Sequence, residues 1–444
     1  MGAAVLRILG MNGQIGALTA AVLFSLAAQA GPRTDVFVES RDHPAIAYTA
    51  GPVHNAVADL NEQIRRGSVT LAFDPATGYL RSLLNALHIP VDSQTLVFSQ
   101  GSMLASHISP TNPRAIYFND TVSLGWVRGA DLLELAAQDE KQGVVFYTLQ
   151  QHAALSPRLE RENRCLECHL TWESLGVPGF QVLSTFQMSD DPNAYAGGQL
   201  SDHRTPLRDR WGGWYVTGRP GIALHRGNVP VVVPAKELQK PARPAPQLTS
   251  VAGRFDTQGF PSEHSDVVAL MVLEHQTRMA NLLTRVGWET RVALQPVTAP
   301  LGRPATAGRL PPRVIEAVGD FVDYLLFVDE APLTAPVAGS SSFTQHFSDM
   351  GPKDRRGRSL RQLDLGGRLF RWPCSYMIYA PAFDALAPEA KTAIYARLWA
   401  ILSGAERGPE YARLSSADRH AIVEILRDTK TDLPGYFAGP VSER

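Results

Sequence analysis

The chain has 444 residues, with 42 Lys and Arg against 43 Asp and Glu, and 44% of it is apolar. That apolar share belongs to a folded protein, and the near-neutral balance argues against nucleic acid as a partner, since a binder needs a basic excess to displace counterions from phosphates. Three cysteines are too few for a disulfide scaffold at this length, so each is read singly.

Residues 1–30 read as a secretory signal: Arg7 early on, an apolar run from Ala17 to Ala28, and Ala28-Gln29-Ala30 as a small-residue cleavage site. The run is shorter than the ~20 residues that cross a bilayer. The rivals to cleavage are an uncleaved anchor and a buried core helix. The expectation is an exported, periplasmic protein that does not span a membrane once the signal is removed.

Residues 31–160 favour strands. Ala115–Asp120 and Thr121–Val127 carry β-branched and aromatic residues on either side of Asn119-Asp120, and Gly143–Leu149 follows a polar turn at Asp139–Gln142. Antiparallel hairpins are the simplest reading. Residues 161–233 hold the chemistry, and 234–262 carry Pro234, Pro241, Pro244, Pro246 and Pro261, the mark of a linker or extended loop. Residues 263–444 read as mainly helical. Val267, Leu270, Met271, Glu274, Leu282 and Leu283 recur at helical spacing over 266–286, with Gly287 placed as a stop. A Pro/Gly-rich break at 297–312 precedes a short helix over 314–328. Pro388 suits a first helical position before Ile394, Leu398 and Leu402, Gly404 ends that helix, and Ser415 with Asp418 makes a capping-box pattern. The fold class expected is α+β, with N-terminal hairpins, a central segment and a helical C-terminal third.

The chemistry sits in Arg164-Cys165-Leu166-Glu167-Cys168-His169, which contains C-x-x-C-H. Two thiols three apart share one side of a helical turn, spaced for thioethers to the two vinyl groups of a haem edge. His169 then lies under the iron as proximal ligand, its other ring nitrogen donating to a carbonyl. The rivals are a thioredoxin-like redox pair, which lacks its strand lead-in here, a zinc site, which needs two further ligands when only Cys374 remains among thiols, and a plain Cys165–Cys168 disulfide, which so short a loop would strain.

Over Cys165–His169 the chain resembles the c-type cytochromes, which implies one covalent haem c, electron transfer and a helix beginning at the motif. Leu175–Gly179, Asp202–Pro206, Trp211–Gly218 and Arg371–Tyr376 look like large exported bacterial proteins with one cytochrome c domain. A second C-x-x-C-H would need two more thiols, which excludes the dihaem c-type peroxidases.

The sixth iron position decides function. The candidates are His203 and His225, which bracket the aromatic stretch Trp211–Tyr215, then His275 with Met279 one turn on. Met188 lies 19 residues past His169, in a setting unlike the usual distal loop. Arg158, Arg161 and Arg164 form a basic patch that would suit a haem propionate or an acidic partner. Trp211 and Trp214 suit core or porphyrin packing, Cys374 a buried apolar site, and Lys353–Arg358 a solvated loop. Glu274 beside His275 is a weaker acid–base candidate. The reading favoured is an exported monohaem c-type cytochrome exchanging electrons with an unidentified redox partner protein. The alternative is a peroxidase- or oxygenase-like haem enzyme with an open distal site.

Overall fold

The computed structural model describes residues 38–185, 198–229, 244–295 and 310–442. The expected signal at residues 1–30 lies outside the described residues. The α+β class is borne out, with an antiparallel sheet in the N-terminal half and helices in the C-terminal third.

The sheet has seven strands: β1 (Thr95–Val97), β2 (Arg114–Phe118), β3 (Val122–Trp126), β4 (Leu132–Asp139), β5 (Gly143–Gln150), β6 (Glu160–Arg161) and β9 (Trp214–Tyr215), in the order β6-β5-β4-β3-β2-β1-β9. A separate pair, β7 (Leu183–Ser184) with β8 (Gln199–Leu200), lies between β6 and β9 in the chain. Both expected hairpin turns form through side-chain acceptors. Asn119 Oδ1 accepts from the amides of Thr121 and Val122 at 3.0 and 2.9 Å, closing β2–β3. Asp139 Oδ1 accepts from Lys141 and Gln142 at 2.9 and 2.8 Å, closing β4–β5.

Strand alternation divides the sheet into two faces. Ala115, Tyr117, Leu124, Trp126, Leu133, Leu135, Val145 and Tyr147 pack in one core with α1 (Ala56–Arg65) and α2 (Leu80–Ala86). The register puts Ile116, Gly125 and Glu134 in one row on the other face, with Ser123, Ala136 and Phe146 in the next. This second face forms the floor of the cleft described below.

After α3 (Leu166–His169), the dominant helix is α4 (Val267–Leu294), 28 residues long. Asp266 caps it, accepting from Val268 and Ala269 at 2.8 and 3.2 Å. Gly287 does not end it, contrary to the sequence reading. A glycine inside a helix costs only about 1 kcal/mol, and the extra turns bury Trp288 in the N-terminal core. Beyond come α5 (Pro312–Leu325), α6 (Phe343–Asp349), α7 (Pro388–Leu402) and α8 (Ser416–Thr429), which share the larger apolar cluster with α4. The expected caps operate: Pro388 opens α7, Gly404 follows it at φ 79°, and Ser415 Oγ accepts from Asp418 at 3.0 Å.

The described part of the Pro-rich stretch, 244–262, packs against the sheet. Leu248, Val251 and Phe260 are buried, Phe260 meets Trp126 edge-on at 5.0 Å, and Gln94 Nε2 donates to Ser262 O at 2.8 Å. Among the described residues, no helix is long and apolar enough to cross a membrane.

Candidate functional site

The edge strand β6 delivers the C-x-x-C-H motif to the sheet. Its pairing with β5 continues through the Glu162 amide to Phe146 O at 2.9 Å, after which the chain turns into α3. Leu166 and Leu170 are driven into the core beneath. That anchoring leaves Cys165 half-buried and Cys168 exposed, and the His169 ring packs against Phe146 with centroids 4.7 Å apart.

His169 is held at two points by one residue. Its Nδ1 lies 2.9 Å from Gly179 O, and its own carbonyl accepts from the Gly179 amide at 2.9 Å. The intervening loop is stiffened by Ser174, whose Oγ donates to Val177 O at 2.8 Å, and it takes positive φ at Leu175 (67°) and Gly176 (70°). Asn281 on α4 clamps the next residue, accepting from the Phe180 amide at 2.9 Å and donating to Phe180 O at 2.7 Å. Gly179 has to be glycine, because a Cβ there would sit 2.3 Å from Asn281 Oδ1. Burial pushes the His169 imidazole down from its ordinary range, against the Gly179 carbonyl. The ring is therefore neutral near pH 7, and a donor Nδ1 leaves Nε2 with a lone pair to offer a metal.

Cys165 and His169 line a cleft of about 110 Å³, whose walls include Arg114, Glu134, Phe146, Phe180, Trp214 and Leu273. The donor set fits a haem of the c type: two thiols on one helical turn, an oriented neutral imidazole, and aromatic walls. Cofactor sites usually hold roughly 300–1,000 Å³, so the group would fill this cleft and project beyond it, and Cys168 is not among the described lining residues. The rival chemistries fit less well. Burial pushes the Cys165 thiol up to about 12 and also raises Cys168, the opposite of the thiolate activation a redox dithiol needs. Among the described residues, no group of three or more His, Cys, Asp or Glu side chains is arranged to hold a metal ion, so the zinc reading lacks its further ligands.

None of the three distal candidates lines the cleft. Leu273 and Thr277 of α4 do, whereas His275 stands two residues from each, about 200° round the helix, and points into the C-terminal core. There His275 Nδ1 meets His203 Nδ1 at 2.8 Å and its Nε2 meets Ser375 Oγ at 2.8 Å, with Tyr324 and Phe327 stacked on both rings. His225 is 2% exposed, packs against Trp211 at 5.2 Å and accepts from the Gly227 amide at 3.1 Å. Burial holds all three neutral, His225 at about 4, His275 at about 3 and His203 well below its usual value. Met279 is buried in the larger core, and Met188 lies outside the described residues.

The weaker features have structural partners. Glu274 forms a buried ion pair with Arg210 at 2.9 Å and accepts from Ser201. Arg161 turns away from the cleft to donate to Tyr48 O, and Arg164 pairs with Glu162 at 2.8 Å. Arg355, Arg356 and Arg358 pin their loop to Asp428 and Glu424 of α8. Trp214 lines the cleft, whereas Trp211 does not. Cys374 is fully buried, and burial pushes its thiol up to about 12. Sequence reasoning missed Arg114, Glu134 and Asn281. The one available signal was Gly125, a glycine inside a strand, which marks a close approach. The chain matches no known protein family, no curated protein and no solved structure.

Proposed function

We propose that this chain is an exported monohaem c-type cytochrome, with one haem joined through Cys165 and Cys168 and carried on His169, that exchanges single electrons with a redox partner protein. The observation that carries the reading is the fixed His169 ring, its Nδ1 committed to Gly179 O, immediately after Cys168 and sharing a cleft with Cys165. The group supplies a one-electron couple when bound. The chain's own part is to orient the imidazole, wall the macrocycle with Phe146, Phe180 and Trp214, and leave the Cys168 side open to a partner. Trp172, three residues after His169, is 69% accessible. Glu134, the one carboxylate among the described residues of the cleft wall, pairs with Arg114 and accepts from Ser102.

A second reading, a haem oxidoreductase with an open distal side, is favoured by one observation. Among the described lining residues there is no Met or Lys, and His169 is the one histidine. Carbon monoxide added to the dithionite-reduced protein separates the two. An unchanged visible spectrum is expected for the carrier; an immediate shift of the Soret band would replace it with the ligand-binding reading.

A further inference from the structure

Arg114 is the one arginine in the cleft wall, and it is placed with more care than a surface arginine needs. From β2 it reaches across β3 to Glu134 on β4, pairing at 2.7 Å, and Ser102 Oγ donates to both oxygens of that carboxylate at 3.0 and 3.2 Å. The crossing passes over Gly125, where a Cβ would come 2.5 Å from Arg114 Nη2 and the guanidinium would have to move. Gly125 does not have positive φ, so its role here is space rather than backbone freedom. The side chain is 22% exposed and Nε is fully buried with no acceptor. A buried guanidinium donor left unpaired costs roughly 1–3 kcal/mol or more, and in a cleft whose lining includes Ile116, Phe146, Phe180, Val182 and Leu273 beside a few neutral polar side chains, an anionic occupant would offset that cost. Arg114 and Glu134 line the same cleft as Cys165 and His169, which places the pair beside the motif.

We infer that Arg114, oriented by Glu134 and Ser102 through the gap at Gly125, is the positioning residue that binds a carboxylate of the macrocycle inside the cleft. It takes the part the sequence offered to Arg158, Arg161 and Arg164. The inference rests on the haem reading above. A carboxylate held by a guanidinium in a low-dielectric wall has its negative charge compensated near the iron, and this favours the reduced state.

The test is a potentiometric titration of the matured protein and two variants. Arg114→Gln should raise the ratio of oxidised to reduced protein at a fixed ambient potential by about tenfold, a fall of about 59 mV for a one-electron couple. Arg164→Gln, which removes the same formal charge from an exposed arginine beside the motif, should change that ratio less than twofold. An Arg114→Gln ratio within twofold of the parent, or an equal fall in Arg164→Gln, would overturn the inference. If Arg114→Gln matures without pigment, Gly125→Ala decides: it keeps every charge and displaces the guanidinium, so a change in the same direction supports the inference and none refutes it. A colourless parent protein is a different failure, that of the haem reading itself.

Discussion

Asn281 offers a test of how the helical half of the molecule governs the motif. Its amide makes two hydrogen bonds to the backbone of Phe180, and Gly179, one residue earlier, supplies the carbonyl that orients His169. Replacing it by leucine removes both bonds and leaves the Phe180 amide and carbonyl facing an apolar side chain. Asn281 is 0% exposed, so water cannot enter freely to replace the lost partners. Two bonds at about 1 kcal/mol each, plus the desolvation of the orphaned groups, give a cost of about 3 kcal/mol. Loosening Gly179 should also weaken its hold on Nδ1, making the imidazole a poorer donor and raising the reduction potential, the opposite sign to Arg114→Gln. The assay is urea unfolding followed by potentiometry of the same preparation, with Asn281→Asp, which keeps the acceptor for the Phe180 amide, expected to fall between parent and Asn281→Leu. A loss below about 1 kcal/mol together with an unchanged potential would refute the chain of contacts from α4 to His169.

Other consequences can be measured in the same way. Arg210→Met strips the partner from the buried Glu274 and should cost about 3–5 kcal/mol, whereas Arg210→Met with Glu274→Leu should recover most of it; equal losses in the single and double variants would show that the charge pair is not the cause. The depressed histidines make stability pH-dependent. Each contributes in full above the unfolded value near 6.5 and loses its contribution as the pH falls toward about 4 for His225 and about 3 for His275. At pH 5 the loss should be about 2 kcal/mol per histidine relative to pH 7. His225→Leu should flatten the profile by that amount, and parallel profiles for parent and variant would contradict it.

How far the sequence could be read depended on whether the relevant contact was local. Asn119 and Asp139 turn their hairpins with bonds two and three residues away, and Ser415 caps α8 the same way, so each was visible in a short window. The C-x-x-C-H motif is local too, and the turn of α3 follows from burial of Leu166 and Leu170 around it. Gly287 misled because its helical penalty is small beside the burial of Trp288 immediately after it. The histidines misled for a different reason. Spacing along the chain says how far His203 and His275 can reach, not which side of α4 they occupy, and their mutual bond at 2.8 Å spans 72 residues. Arg114 and Glu134 lie on non-adjacent strands, so their pairing appears only once the register of β2, β3 and β4 is known.

The central claim is that one haem is covalently joined to this chain at Cys165 and Cys168. The direct measurement is the visible spectrum of the protein matured in a host able to attach haem c, taken before and after extraction with acidified acetone. The account predicts a reduced spectrum of the c type, with the colour remaining on the polypeptide and lost from the Cys165→Ser, Cys168→Ser double variant. A colourless protein, or pigment that passes into the acetone, would contradict it.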